Sequence, residues 1–438
     1  MLVRLFGSNF RSLKEPFELS MVAADLKRKE DRDRGVIEVP IAGTDEPLRL
    51  LRTVAIYGAN ASGKSTVLTA AHALNWLVTS SSASAKPDAT IPPYEPFVLD
   101  DDSRIAAVEL GCDAVLEDSL LRYEIRFQDK SILSETLTVF NEKGAVKLID
   151  RQPSGEVRGD LITRSGANLL YVKEMQPNVA VLSKLAQHGP HKGPESANPY
   201  YRAIQNATRF ENYSDATSVQ VELGSSEDER FADDPKYREW IMRHLIRSAD
   251  VGICDVKTRR ETVEVPDFVK ELFAKVGSSG QKLPEKKVVV SFVHAGSSSQ
   301  PIDFSNESAG TKKLFNLASD WWSLANRDGT ILADELSASL HPRLLDGLIR
   351  AVNDPPKGRV RSQLIFSTHD TGLLEGRDGL PPALRRDQVY FTKKDSQGAC
   401  ELYSLAEFSE EARPVHNLRK RYMSGLYGAI PDVEKLSL

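Results

Sequence analysis

Apolar residues in this chain fall into short unbroken runs and longer stretches of helical spacing, and their order lays out an architecture. The sharpest run, LRTVAIYG (51–58), is β-rich and leads through a glycine-containing turn into STVLTAAHALNWLV (65–78), spaced as a helix. Ahead of it, LVRLFGSNF (2–10) and PFELSMVA (16–23) read as paired strands, and DLKRKEDRDR (25–34), with charges of both signs, as a solvated loop. A polar linker, SSSASAKPDATIPP (80–93), separates the first helix from RIAAVELGCDAVL (104–116), LLRYEIRF (120–127) and SILSETLTVF (131–140). These three strand-like runs predict an antiparallel sheet.

From about residue 157 the rhythm turns helical, in NVAVLSKLAQH (178–188) and KYREWIMRHLIRSA (236–249), broken by Gly, Pro and Ser and by the acidic EDERFADD (227–234). KVVVSFVHAG (287–296) returns to strand and FNLASDWWSLAN (315–326) to helix. The strands TILAD (330–334) and QLIFSTH (363–369) then flank the helical PRLLDGLIRAV (342–352). Short apolar strands alternating with helices predict a parallel α/β sheet. The expected layout is a split α/β head, 1–160 and 287–438, around an inserted mainly helical lobe at 161–286.

Composition narrows the class. With hydrophobic residues at 40% and charged residues at 27%, the 438-residue chain can fill the cores of two or three soluble domains. A net charge of -5 excludes a polybasic coat, so nucleic-acid binding would need a local basic patch. Cys112, Cys254 and Cys400 lie far apart without metal-site spacing and read as buried thiols of a reducing compartment. The chain opens on strand-like alternation without a secretory pattern, and no run reaches membrane-span length, so a cytoplasmic protein without membrane contact is expected.

The chemistry is concentrated in four places. GANASGKS (58–65) fits the G-x-x-x-x-G-K-S/T phosphate loop between a strand and a helix, the context the motif requires. Gly58, Asn60, Ala61, Ser62, Gly63 and the following Thr66 are expected to wrap phosphate with backbone N–H groups; Lys64 adds a point charge, and Ser65 a hydroxyl ligand for magnesium. TILADE (330–335) ends an apolar strand in two carboxylates, Asp334 as magnesium ligand and Glu335 as general base for the attacking water. NESAGTKKLF (306–315) offers a hydroxyl, bare backbone and a helix start to an anion, and QLIFSTHD (363–370) ends a strand in His369, suited to sensing a γ-phosphate.

In this order the four motifs resemble the ABC ATPase heads of the SMC, RecF and overcoming-lysogenization-defect group, over most of 1–160 and 287–438. The resemblance implies a mixed sheet with an antiparallel β-subdomain and flanking helices, ATP and Mg2+ as ligands, and hydrolysis of ATP. It also implies that Ser308, Ala309, Gly310 and Thr311 contact the nucleotide of another protomer, giving a homodimer with composite sites and leaving a higher oligomer open. ASLHP (338–342) looks like the family's D-loop, with His341 at the dimer seam, and SNFRSL (8–13), including Arg11, like the hairpin beside the nucleotide. One departure is clear: YEPFVLD (94–100) stands where the family's Q-loop glutamine would be sought.

LRRDQVYFTKKDSQGACELYSLAEF (384–408) and YMSGLYGAIP (422–431) resemble the compact ABC-like ATPases of anti-phage and abortive-infection systems, RloA and Septu PtuA among them. Overcoming-lysogenization-defect proteins often carry a Toprim nuclease, but 370–438 is too short for one and lacks its acidic pattern. The resemblance thus implies a separate effector, a nuclease or toxin, controlled by the head. Arg385, Arg386, Arg419, Lys420 and Arg421 are candidates for contact with nucleic acid or a partner. A RecF-like DNA-binding ATPase is the alternative; a transporter motor fits poorly, because the signature is ESAGT and not LSGGQ.

Overall fold

The computed structural model describes residues 1–26, 32–142, 144–212, 226–249, 252–262, 286–296, 300–355, 360–408 and 417–431. Half of the charge run at 25–34 and much of the segment 250–286 lie outside these residues. By contacts the chain divides into two compact units: Met1–Glu211 with Leu324–Ser337 and Leu345–Leu438, and Asn212–Ser323 with Ala338–Leu344.

The first unit is built on two sheets. Strands Thr53–Gly58 and Ser362–Ser367 are buried at every position, which is what unbroken apolar runs demand of inner parallel strands covered on both faces. Their sheet runs Arg209–Asn212, Gly329–Asp334, Ser362–Ser367, Thr53–Gly58, Val389–Lys394, Cys400–Ser404. The four inner strands are parallel in register, with Ala333 beside Phe366, Ser367 beside Ile56 and Thr392 beside Gly58. That register brings Gly58, Asp334 and the residues after Ser367 to one edge, the carboxyl ends of the strands, where open α/β sheets bind ligands.

The antiparallel sheet contains Leu2–Ser8 paired with Phe17–Ser20 and continues through Val108–Leu116, Ser119–Gln128, Ser131–Asn141 and Gly144–Arg151. Residues 104–107 do not join it. Asp100 caps a short helix, Asp101–Ile105, by accepting from the Ser103 N–H at 2.9 Å, so the strand starts at Val108.

Helices Asp160–Thr163, Gly166–Lys173, Val181–His188 and Asn198–Ala207 belong to this unit, and Val181, Leu182, Leu185 and Ile204 enter its main core. One acid shows why they dock. Glu135 sits on the buried face of its strand, in phase with Leu137 and Val139, and is fully enclosed. Its carboxylate accepts from the N–H groups of Val181 (2.6 Å) and Leu182 (2.9 Å) at a helix start and from the Tyr123 hydroxyl (3.0 Å). Burial pushes its pKa up, opposed by those N–H groups and by Arg151. Replacing Glu135 with alanine orphans three donors and leaves Arg151 without its counter-charge. The expected cost is about 3–5 kcal/mol of stability. A loss under about 1 kcal/mol in a urea titration would show that the network is dispensable.

The second unit carries a three-stranded antiparallel sheet, Ile253–Thr262, Lys286–His294 and Pro301–Asp303. The ring of Phe315 meets Phe231, Phe292 and Phe304 within 5.5 Å, and the Arg230 guanidinium lies 3.9 Å over Tyr237 and 4.1 Å over Trp322. The helical stretch at 236–249 is not one regular helix: Pro235–Ile241 is α, Met242–Ile246 widens to a π turn, and Arg247–Ala249 tightens to 3-10. Cys112 and Cys400 are buried as expected, whereas Cys254 is exposed. No described helix is long and apolar enough to cross a membrane.

Candidate functional site

The phosphate loop turns tightly off its strand. Gly58 has φ 158°, and a Cβ there would lie 2.4 Å from the Ser62 hydroxyl and 2.5 Å from that of Thr392, so only glycine fits. Those two hydroxyls bond each other at 2.6 Å and fix the loop to the next strand. Gly63, at φ 104°, starts the helix Lys64–Thr79; a Cβ there would meet Cys400 at 2.9 Å. This helix has no side-chain cap and no acidic residue in its first turn, leaving its N–H groups and positive dipole end for an anion. Asn60, Ala61 (φ 59°) and Ser65 are exposed, and Thr66 is half-buried with its hydroxyl 3.1 Å from that of Ser12.

Lys64 is 7% exposed, and its ammonium donates to the carbonyls of Gly58 (3.0 Å) and Ala59 (2.9 Å). Burial lowers its pKa, and the carboxylates of Asp334 and Glu335 oppose that shift. Strand Gly329–Asp334 ends in these two acids. Asp334 is half-buried and accepts a short hydrogen bond from the Ser367 hydroxyl at Oδ1. The same hydroxyl accepts from the Glu335 N–H at 2.7 Å, while Glu335 is exposed with φ 48°. Ser367 therefore ties the Asp334 carboxylate and the Glu335 backbone together from the neighbouring strand. His369 follows at that strand's end; partial burial and the Lys64 charge lower its pKa, against the pull of Glu335 and Asp334. Lys64, Asp334, Glu335 and His369 thus form one electrostatic cluster at the sheet edge.

For Mg2+ the donor set is suitable. The exposed Ser65 hydroxyl and the Asp334 carboxylate, whose Oδ2 is left by Ser367, are hard oxygen ligands of the kind that supplements a hydrated, phosphate-bound Mg2+. No group of three or more His, Cys, Asp or Glu among the described residues could hold a metal by itself.

The remaining site candidates sit in two places. Arg11, exposed at φ 50° in the turn after the first strand, pairs through Nε with Glu95 and lies 3.5 Å from the Thr69 hydroxyl, one turn beyond Ser65. Ser308, Ala309, Gly310, Thr311 and His341 belong to the second unit. Ser308 caps the helix Ala309–Asn316, accepting from the Thr311 N–H at 3.1 Å; a Cβ on Gly310 would lie 2.9 Å from the Ser339 carbonyl, a close approach between the signature segment and the 338–342 loop. His341 is exposed, its Nδ1 accepting from the Arg343 N–H at 3.2 Å. Glu307 is nearly enclosed and bonds Nε2 of His294 at 2.7 Å.

Residues passed over in the sequence include Ser367, Ser12 and Glu95. Ser367 had a signal, two positions before His369 in QLIFSTHD; Glu95 lay within YEPFVLD. Among the basic candidates Arg385 is not on the surface. Its side chain is enclosed, paired with Asp387 at 2.6 Å and donating to the carbonyls of Arg32 and Arg34. Arg386 is half-buried, Arg419 pairs with Glu375 at 2.7 Å, and Lys420 is exposed.

Residues 185–375 match the family model described as "AAA domain, putative AbiEii toxin, Type IV TA system". The match includes the ESAGT segment, both strand-end carboxylates and His369, and it begins after the phosphate loop. Among solved structures the chain is similar to an SMC head bound to the C-winged helix domain of ScpA, at 13% identity over 93% of this chain and 99% of that one, with a TM-score of 0.38. An SMC head domain from Thermotoga maritima matches at 13% identity over 92% and 98%, TM-score 0.33. The Smc head with an extended coiled coil, bound to the C-terminal domain of ScpA derived from Pyrococcus furiosus, matches at 14% over 93% and 98%, TM-score 0.39. No curated protein matches the chain.

Proposed function

We propose that this chain is an ABC-type ATPase that closes as a homodimer on ATP, hydrolyses it, and by closing and opening controls a separate effector in bacterial anti-phage defence. The observation that carries the catalytic part is the meeting of Lys64, Asp334, Glu335 and His369 at one edge of a parallel sheet, beside an uncapped helix start. In this reading the N–H groups of 60–66 and the Lys64 ammonium hold the β- and γ-phosphates. Ser65 and Asp334 would hold Mg2+, which when bound would supply neutralisation of charge developing on the phosphate oxygens. Glu335 accepts the proton of the attacking water, and His369, held mostly neutral by burial and Lys64, hydrogen-bonds the γ-phosphate.

Ser308 to Thr311 and His341 would complete the site of a second copy. Ser308→Arg is therefore expected to leave ATP binding by each protomer within about threefold while turnover collapses, since the long cation fills the space for the other copy's γ-phosphate. Loss of the cap costs the local helix only about 1 kcal/mol. If light scattering still shows ATP-dependent dimers and turnover persists, the segment does not act in trans.

The defence role rests on the matched family's description as a toxin of a toxin–antitoxin system and on the C-terminal resemblance. The burial of Arg385 and the pairing of Arg419 remove basic charge from the surface that a RecF-like DNA clamp would need. Purifying the chain from its native operon, as wild type and as Glu335→Gln, tests the effector: a partner held in one nucleotide state and released in the other is expected. Absence of any partner in both states would defeat this role.

A further inference from the structure

The turn that carries His369 is gripped on its far side by the C-terminal helix Leu418–Met423. Upstream of His369, the Thr368 N–H bonds the Ile56 carbonyl at 3.1 Å; downstream, the Tyr57 hydroxyl donates to the Asp370 carbonyl at 3.0 Å. Asp370 then caps the 3-10 turn Thr371–Leu374 through the Gly372 N–H at 2.7 Å. Across this turn lies Arg419, whose Nε donates to the Thr371 hydroxyl at 3.2 Å and whose Nη1 donates to Glu375 at 2.7 Å. Asn417 takes the other oxygen of Glu375 at 3.0 Å. Behind them Tyr422 of the same helix stands edge-on to Tyr57 at 5.8 Å and stacks on Phe391 at 5.4 Å.

One short helix thus touches the His369 turn twice, by side chains at Thr371 and Glu375 and through Tyr57 at Asp370. We propose that Arg419, acting through Thr371 and Glu375, is a positioning residue that keeps His369 aligned for γ-phosphate hydrolysis. The inference rests on the ATPase reading of the site and adds to it a residue fifty positions away in sequence. An ordinary surface ion pair is the competing account. Arg419 and Glu375 are 48% and 34% exposed, so their contribution to global stability is small. Catalysis is more sensitive, because a displacement of about 1 Å at a catalytic group costs up to roughly a hundredfold in rate.

The test uses the full chain and three variants: Arg419→Ala, Glu375→Gln, and the exchange Arg419→Glu with Glu375→Arg. Both single variants should lower kcat about tenfold, with the ATP concentration for half-saturation within about twofold of wild type and Tm within about 2 °C. The exchange should recover at least half of the lost kcat. A kcat within twofold of wild type in both single variants, or a fall in kcat that only tracks a falling Tm, overturns the positioning role. A wild-type chain that binds but never turns over ATP overturns instead the hydrolytic reading on which the role rests.

Discussion

Replacing Lys64 with alanine is expected to weaken ATP binding by at least about a hundredfold, to the point where titration calorimetry at micromolar protein no longer detects it. Lys64 is 7% exposed and its ammonium is aimed back over the loop, so its charge acts through little water. Removing it forfeits charge-assisted hydrogen bonds to phosphate worth about 1.5–3 kcal/mol each; two such bonds correspond to a hundredfold or more in affinity. The carbonyls of Gly58 and Ala59 also lose their shared donor, which loosens the loop that the Ser62 to Thr392 hydroxyl pair otherwise fixes. Affinity within threefold of wild type would remove 58–65 from the nucleotide site altogether. Lys64→Arg should fare little better, because a planar guanidinium fork does not reproduce the compact point charge that the two loop carbonyls hold.

Glu335→Gln should do the opposite to binding and as much damage to chemistry. The amide keeps the shape, the φ of 48° and the backbone N–H that bonds Ser367, but it cannot take a proton from water. A fall in kcat of about 10²–10³ is expected, equivalent to about 3–4 kcal/mol on the barrier, with ATP affinity unchanged or tighter. With hydrolysis blocked, the ATP-bound dimer should accumulate, visible as doubled mass in native mass spectrometry with ATP but not ADP. Single-turnover kinetics separate the outcomes: an unchanged rate of γ-phosphate release would place the general base elsewhere in the cluster. Ser367→Ala is informative beside it, since the hydroxyl holds Asp334 and Glu335 at once, and its loss should affect magnesium dependence together with rate.

Much of this was legible in the chain because the relevant physics is local. The strand, turn and helix around 51–78 follow from an apolar run, a glycine turn and helical spacing within a few residues of one another, and GANASGKS carries its own geometry in Gly58 and Gly63. The strand-end positions of Asp334 and His369 follow from the same kind of run, and LLRYEIRF (120–127) lies within the antiparallel strand Ser119–Gln128. Local pattern misled where a short polar signal outweighed it: the Asp100 cap turned 101–105 into helix ahead of the strand.

What the tertiary structure alone decided are the pairings between residues far apart in sequence. Ser62 meets Thr392, Ser367 meets both strand-end acids, Glu135 meets a helix start at Val181, and Arg419 meets Glu375. Arg385 reads as a surface charge by type, yet it is buried because Asp387 and backbone carbonyls satisfy its guanidinium there. Whether a polar side chain is exposed or enclosed depends on whether the folded chain supplies its partner, and a buried charge survives only where that partner arrives. A sequence shows that Ser367 can donate and Asp334 can accept; only the register of two parallel strands puts one hydroxyl between the Asp334 carboxylate and the Glu335 N–H. Side-chain type and short-range rhythm are properties of neighbours along the chain, whereas partner supply is a property of neighbours in space.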